Sequence, residues 1–287
     1  MKPENTITLR VWGDFACFTR PEMKVERVSY PIITPSAARG ILEAVYWEPR
    51  MFYVIDSIRV VKPGRWISFR RNEVKRVISM DSAQTWMKNP EKVSYIHAGG
   101  GAEDGTQRNM LALKDVEYLI TAEVSTTPLV DRPEKTVAAY LGQISRRAKA
   151  GKCFHRPALG VREFAADFDW VEDDPDIALK KRLEEEKLRG NNSGPVSEDF
   201  GLMLYDVFDH NERQEGFRWL REDEIAAIPA GSKSRGSGRK ASSVQPRWKG
   251  RLVKPQPAFF HARLVQSVLD CHPSRVKILT ASNVGGN

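Results

Sequence analysis

The chain has 287 residues, a net charge of +8 and a pI of about 9.4, enough length for one large domain or two small ones. No apolar stretch is long enough to span a bilayer and the polar start MKPENT is no secretory signal, so no membrane association is expected and the expected location is cytoplasmic. Three widely spaced cysteines, Cys17, Cys153 and Cys271, argue against a disulfide framework; without a C-x-x-C or H-x-x-x-H pair, Cys153 with His155 or Cys271 with His272 makes a poor zinc site, and no metal or other cofactor is expected.

In chain order, TITLRVW alternates Ile7, Leu9 and Val11 against Thr8, Arg10 and Trp12, the period of a first strand. After a loop, ITPSAARGILEAVYWEP predicts a helix over 35–47: Thr34 as N-cap, Pro35 at the first helical position, Pro49 as terminator. Its apolar stripe centres on Ala38, Ile41, Leu42 and Val45, and at about 100° per residue Tyr46 falls on the stripe's edge, on the side of Arg39 and Glu43. An edge tyrosine is either an ordinary core residue or one that buries its ring and presents its hydroxyl to a groove, where a nearby arginine would favour the phenolate. Trp47, farther round, is expected to pack under the insertion that follows.

FYVIDSIRVV, 52–61, is apolar on both faces and predicts a central strand. Residues 65–110 read as an insertion: RWISFRRNEVKR as a projecting hairpin, then the glycine-rich HAGGGAEDGTQRN as a flexible loop with no phosphate-binding signature. VEYLITAEV, 116–124, alternates Val116, Tyr118, Ile120, Ala122 and Val124 inward against Glu117, Thr121 and Glu123 outward. Asp131 and Glu134 resemble a capping box for a second helix through Ala138, Leu141, Ile144 and Ala148 to a basic last turn and Gly151, and LGVREFAADFDW, 159–170, predicts another strand. The order strand, helix, strand, strand, helix, strand predicts an α+β, ferredoxin-like (RRM-like) domain over 1–170. Residues 171–200 read as a charged linker containing a solvated helix opened by Asp174 and Pro175. Residues 201–287 read as a small β-rich domain, with strands in LMLYDVFD, GFRWLRE and FFHARLVQSVLD and a basic loop over 231–254.

The charge is clustered. Between Ile225 and Leu269 no acidic residue occurs, while Lys233, Arg235, Arg239, Lys240, Arg247, Lys249, Arg251, Lys254 and Arg263 do. Such a tract is either a solvated loop or a phosphate-binding one. The basic end of the second helix, Arg146, Arg147, Lys149, Lys152 and Arg156, together with Arg70 and Arg71, is suited to gripping an RNA stem, with Arg39 and Arg108 as further candidate RNA contacts. Trp66, Phe69 or Phe154 would stack on unpaired bases. The charge also permits non-specific DNA binding.

VWGDFACFTRPEMKVERVSYPIITPSAARGILEAVYW, with RRNEV, QRNMLALKDVEY and CFHRPALGVREF farther along, resembles the CRISPR-associated Cas-five proteins of the Dvulg subtype, the type I-C systems. The resemblance covers roughly residues 6–170. It implies a member of the repeat-associated mysterious protein (RAMP) superfamily: a ferredoxin-like domain with a second, small β-rich domain, acting as a metal-independent endoribonuclease. Such an enzyme cuts the repeat of precursor CRISPR RNA and stays on the 5′ handle, beside the backbone and large subunits of the surveillance complex. The resemblance carries a catalytic tyrosine onto Tyr46 and a catalytic lysine onto Lys114; where the family has a histidine beside that lysine, this chain has Asp115. The family's P-Y-L-G-C-R-E-F reads PALGVREF, departing at Ala158 and Val161.

Metal-free RNA cleavage needs a group to take the 2′-hydroxyl proton, a cation for the pentacoordinate phosphate and an acid for the leaving 5′-oxygen. Tyr46 and Lys114 suit the first two; Lys114 otherwise reads as a solvated lysine or a surface partner of Asp115. His155, between a basic helix end and Arg156, is the best candidate acid. His97 lies in the glycine-rich loop, and His210, His261 and His272 read as structural or solvated. The sequence supports an endoribonuclease first, a non-catalytic subunit holding the RNA handle second, and a DNA-binding protein third.

Overall fold

The alternation of Ile7, Leu9 and Val11 builds β1 (Thr6–Ala16), which buries all three completely. In this computed structural model residues 5–97, 99, 101–128, 136–191, 194–214, 217–219, 251–253 and 255–280 are described. After the short β2 (Arg27–Val28) comes α1 (Pro35–Val45), opened as its sequence dictates: the Thr34 hydroxyl accepts from the Ala37 amide at 3.2 Å and Pro35 fills the first turn. The helix ends at Val45, two residues earlier than its pattern predicts, with Tyr46 already extended.

β3 (Met51–Lys62) leads into β4 (Arg65–Val74), α2 (Met80–Lys88), a 3-10 turn over Pro90–Lys92 and the 22-residue β5 (Gly105–Thr126). β4 pairs antiparallel with the first half of β5, from Arg65 opposite Lys114 to Val74 opposite Gly105. The insertion is therefore a hairpin, and Gly105–Asn109, expected in the flexible loop, belongs to its second strand. α3 (Val137–Lys149) follows, with Thr136 at its N-cap; the capping pair Asp131 and Glu134 lies outside the described residues.

β6 (Asp167–Trp170), α4 (Pro175–Leu188), β7 (Glu198–Asp206), α5 (His210–Gln214), β8 (Phe217–Trp219), β9 (Arg251–Val253), β10 (Ala258–Val265), β11 (Val268–Asp270) and β12 (Ile278–Leu279) complete the described elements. β8 and β9 pair in parallel. The basic loop 231–254 falls outside the described residues apart from β9. β10 and β11 form a two-residue hairpin whose turn residues Gln266 and Ser267 both have positive φ, matching the right-handed twist of the strands.

The main sheet runs β12–β10–β11–β3–β5–β1–β6, with β7 on β10 and both β2 and β4 on β5. All these pairs are antiparallel except β2 with β5. The architecture is mixed α and β, organised on one large antiparallel sheet that β11 continues from β3 into the C-terminal strands. α1 and α3 share a core with Leu9, Ile58, Tyr118 and Ile120. Among the described residues, no helix is long and apolar enough to cross a membrane.

Two expectations fail here. Glu117 and Thr121, expected to face solvent, are buried, because α4 covers the second face of the sheet by packing Ala178, Leu179 and Leu183 on Val61 and Leu119. α4 is thus no solvated helix, although its charges mask its apolar side. Glu117 accepts from Arg10 at 2.8 Å and is gripped by Arg182 through two nitrogens at 2.7 and 2.9 Å; the fully buried Glu186 takes Lys62 at 3.0 Å and Arg189 at 2.9 Å. Burial alone would raise both carboxyl pKa values, but these cations hold them below the usual value.

A depressed folded-state pKa means stability that is present above the unfolded value, about 4 for a glutamate, and lost as pH falls through the folded value. The urea midpoint is therefore expected to be flat between roughly pH 5 and 7 and to drop below about pH 4, with a shallower fall in Glu117→Gln. A midpoint indifferent to acid down to pH 3 would contradict this account.

The other failure is the strand expected over 159–170. Only Asp167–Trp170 is β6; residues 158–165 fold back as a turn, in which the Leu159 amide donates to the Phe164 carbonyl at 2.8 Å.

Candidate active site

A helix end leaves its last carbonyls without partners. At the end of α1 these are answered from four directions. Leu42 accepts the Tyr46 amide at 3.0 Å, and Ala44 accepts both the Phe154 and His155 amides at 2.8 and 3.0 Å. Val45 accepts the Arg147 side chain at 3.0 Å, and the Tyr53 hydroxyl donates to the Tyr46 carbonyl at 2.7 Å. These bonds tie residues 44–46 to α3, to the segment after it and to β3, so the backbones of Tyr46, Phe154 and His155 are held at one place, with Trp47 next in the chain.

Tyr46 resolves its sequence ambiguity on both sides. Its ring is half-buried against the core, while its hydroxyl donates to the Glu48 carboxylate at 2.6 Å. Burial raises the phenol's pKa well above its ordinary value, and the hydrogen bond and charge of Glu48 add to the rise, against a lesser pull from Arg147. The expected phenolate-favouring environment is therefore corrected: the carboxylate partner outweighs the cation, making Tyr46 a weaker acid and its oxygen a stronger base. Sequence reasoning missed Glu48, although a carboxylate two residues from the tyrosine was the available signal.

Beside this helix end lies an open groove of about 1140 Å³. α1 forms one wall, Trp47 and the 154–162 segment the other side, with Cys17–Thr19 between. It brings together His155 and Arg156 of the expected set with Phe154, and adds Trp47 and Arg162. Trp47, expected to pack beneath the insertion, instead stands 46% exposed in the groove.

The other candidates are not among the residues that line this groove. Lys114 is exposed on β5 opposite Phe15 and Arg65, and no hydrogen bond or ion pair joins it to Tyr46 or His155 among the described residues. Asp115, at a positive φ of 60°, pairs with Lys62 at 3.3 Å rather than with Lys114. Arg39 does not suit an RNA contact: it is buried, forks onto Asp206 with two 2.8 Å bonds and gives a third to Glu43 at 2.7 Å.

Arg71 is held by Glu163 at 3.0 Å and faces Arg108 across the hairpin, while Arg70 is exposed. Arg146 bonds Gln143, Lys149 pairs with Glu172, and Lys152 is exposed. Phe69 packs edge-on to Phe15 at 5.1 Å and next to Phe164 at 5.9 Å, which leaves Trp66 and Phe154 as the exposed aromatics among the expected stackers.

The turn PALGVREF explains how this groove is built. Leu159 is fully buried, and Gly160 crosses β1's end so closely that a Cβ there would lie 2.0 Å from the Cys17 carbonyl oxygen. Its φ of +87° adds a conformational reason for glycine. Arg162 then lines the groove, Glu163 ties Arg27 at 3.1 Å and Arg71 at 3.0 Å, and Phe164 joins the aromatic cluster. Gly160→Ala is expected to cost about 2–4 kcal/mol from backbone strain and overpacking together; a melting temperature unchanged from wild type would refute the close approach.

The fold and the site define a mixed α/β protein on a large antiparallel sheet, with an aromatic-lined groove carrying two arginines that have no ion-pair partner among the described residues, at one helix end. The family model described as CRISPR-associated protein (Cas_Cas5) matches residues 6–236, and the chain belongs to that family. It is 41% identical over 226 residues to a protein of Mannheimia succiniciproducens named CRISPR pre-crRNA endoribonuclease Cas5d, covering 78% of this chain and 95% of that one. It is 37% identical over 201 residues to a Thermus thermophilus protein of the same name, covering 70% and 72%. Among solved structures, a functionally uncharacterized protein, SMU1763c from Streptococcus mutans, matches 96% of this chain and 97% of its own with a TM-score of 0.51 at 16% identity, a likeness of fold.

Proposed function

We propose that this chain is an endoribonuclease that cuts the repeat of precursor CRISPR RNA and then keeps the 5′ handle as a subunit of a surveillance complex, beside its backbone and large subunits. The observation that carries the reading is the 41% identity to a protein named for that activity, extending over 95% of its length. The strand order β6–β1–β5–β3, with α1 and α3 in one shared core, supports reading residues 1–170 as ferredoxin-like. On this reading 171–200 is a connecting charged segment and 201–287 a small β-rich unit.

The chemistry needs only the RNA's own hydroxyl as nucleophile. The 2′-hydroxyl attacks the adjacent phosphorus and its proton passes to the Tyr46 oxygen as the phenol's proton moves to Glu48, 2.6 Å away. The P–O5′ bond breaks, and the protonated His155 ring gives its proton to the departing oxygen. Lys114 supplies positive charge to the pentacoordinate phosphate. The products are a 2′,3′-cyclic phosphate and a 5′-hydroxyl, and every proton is accounted for without a metal. Arg70, Arg108, Arg146, Arg147, Lys149, Lys152 and Arg156 hold the phosphates, giving a steep salt dependence. DNA lacks the attacking hydroxyl, so DNA bound by these cations is not cut.

A second reading, a handle-binding subunit without cleavage, is favoured by the position of Tyr46 outside the lining of the groove. Incubation of the purified protein with its repeat RNA in EDTA separates the two. Cleavage that disappears when the 2′-hydroxyl at the cut site is replaced by hydrogen, with binding retained, supports the enzyme. Tight binding without any cleavage supports the second reading, and cutting of the deoxy substrate defeats the mechanism.

A further inference from the structure

The groove beside α1 holds two large aromatics that the fold leaves uncovered: Trp47, 46% exposed, and Phe154, 74% exposed. Neither is a loose surface residue. Phe154 is fixed through its own amide and that of His155 to the Ala44 carbonyl, and its ring meets the His155 ring edge-on at 4.5 Å. Trp47 follows directly on Tyr46, whose backbone is pinned at both its amide and its carbonyl. Side chains carried on a backbone held in place before a ligand arrives lose less freedom on binding it.

The charge around them has one sign left over. Glu43 lines the groove, but Arg39 and Arg213 both bond its carboxylate from within the fold. Arg156 and Arg162 line the same groove, exposed and without an ion-pair partner among the described residues. The helix wall is flat at Gly40, where a built Cβ would meet nothing within 4 Å. Exposed aromatic faces, an open wall at Gly40 and two guanidinium groups without an ion-pair partner among the described residues match a planar base carrying a phosphate. The base must be unpaired, since neighbours cover both faces of a base inside a stem.

We propose that this groove seats one unpaired nucleotide of the RNA, its base stacked on Trp47 and Phe154 and its phosphate held by Arg156 and Arg162. The assignment rests on the RNA-processing reading above and adds to it the place where RNA outside the stem is held.

The test uses the full chain and a repeat RNA made uncleavable by a 2′-deoxy residue at the cut site, with 2-aminopurine placed at each unpaired position in turn. Wild type is expected to quench one of these positions. Trp47→Ala and Phe154→Ala should lose that quenching and weaken binding by roughly 5- to 100-fold, while Trp47→Phe keeps most of both. Arg156→Gln should weaken binding and reduce its salt dependence by about one phosphate contact.

RNA that binds wild type tightly with no position quenched, or that binds Trp47→Ala as tightly as wild type, overturns the seat and leaves the RNA-processing reading standing. Equal competition by an isolated stem also overturns it. Wild type that binds no repeat RNA brings down both.

Discussion

Asp206→Ala is expected to destabilise the protein by about 3–5 kcal/mol, read as a lowered urea midpoint at an unchanged slope. Arg39 is buried, and Asp206 accepts two of its nitrogens at 2.8 Å each. Arg213, whose own pKa is lowered by burial and by Arg39, also faces Asp206. Removing the carboxylate leaves two buried guanidinium groups sharing the single remaining carboxylate of Glu43, and the cost comes from that uncompensated positive charge together with the two lost bonds.

The fork also has a topological consequence. It joins α1, which carries Tyr46 at its end, to β7 in the C-terminal strands. Asp206→Ala should therefore lose RNA binding at temperatures where wild type keeps it. The double variant Arg39→Met/Asp206→Leu should recover most of the stability, because it removes both charges together. A single variant within about 1 kcal/mol of wild type would mean the fork contributes little.

That interaction marks the limit of what the sequence could tell. β1, α1 and β3 were legible because their information is local: period-two alternation, an N-cap with proline behind it, an apolar run long enough to need cover on both faces. Arg39 sits on the predicted side of α1, yet nothing near it reveals an aspartate 167 residues away, so a buried structural cation passed for a phosphate contact. α4 failed for a related reason. Its charged residues Arg182 and Glu186 are the very groups that dock it, paired to Glu117 and Lys62, so a pattern of alternating signs concealed a packed face. Gly160 was hidden inside an apparent strand because its requirement comes from the Cys17 carbonyl across the chain crossing.

The site divides in the same way. Tyr46 was singled out by its angle on the helix, and His155 by its basic surroundings; both lie at the end of α1. Trp47 was misjudged because exposure depends on what the following hairpin covers, and that hairpin leaves it open. Arg162 was passed over as one more arginine in a loop, though its place between Gly160 and Glu163, both fixed, aims it at the groove.

Tyr46→Phe is expected to slow cleavage by about 10²- to 10⁴-fold, the range for losing a positioned proton-transfer group, with RNA affinity nearly unchanged. Folding should hardly change, since the ring that packs against the core remains. Glu48→Gln makes the sharper test because it leaves the tyrosine in place. The 2.6 Å bond gives the phenol somewhere to send its proton, and an amide cannot accept it. The phenol pKa, held up by burial and by Glu48, falls back toward the ordinary value in the variant, which makes its oxygen a weaker base. Cleavage should slow by roughly 10- to 100-fold. The wild-type rate should fall at low pH as the carboxylate takes a proton of its own, and that acidic limb should flatten in Glu48→Gln. If Tyr46→Phe cuts at the wild-type rate, the tyrosine is a core residue with a satisfied hydroxyl and the 2′-hydroxyl proton leaves by another route. If only Glu48→Gln is indifferent, Tyr46 acts without the carboxylate and the acidic limb belongs to the RNA's other partners.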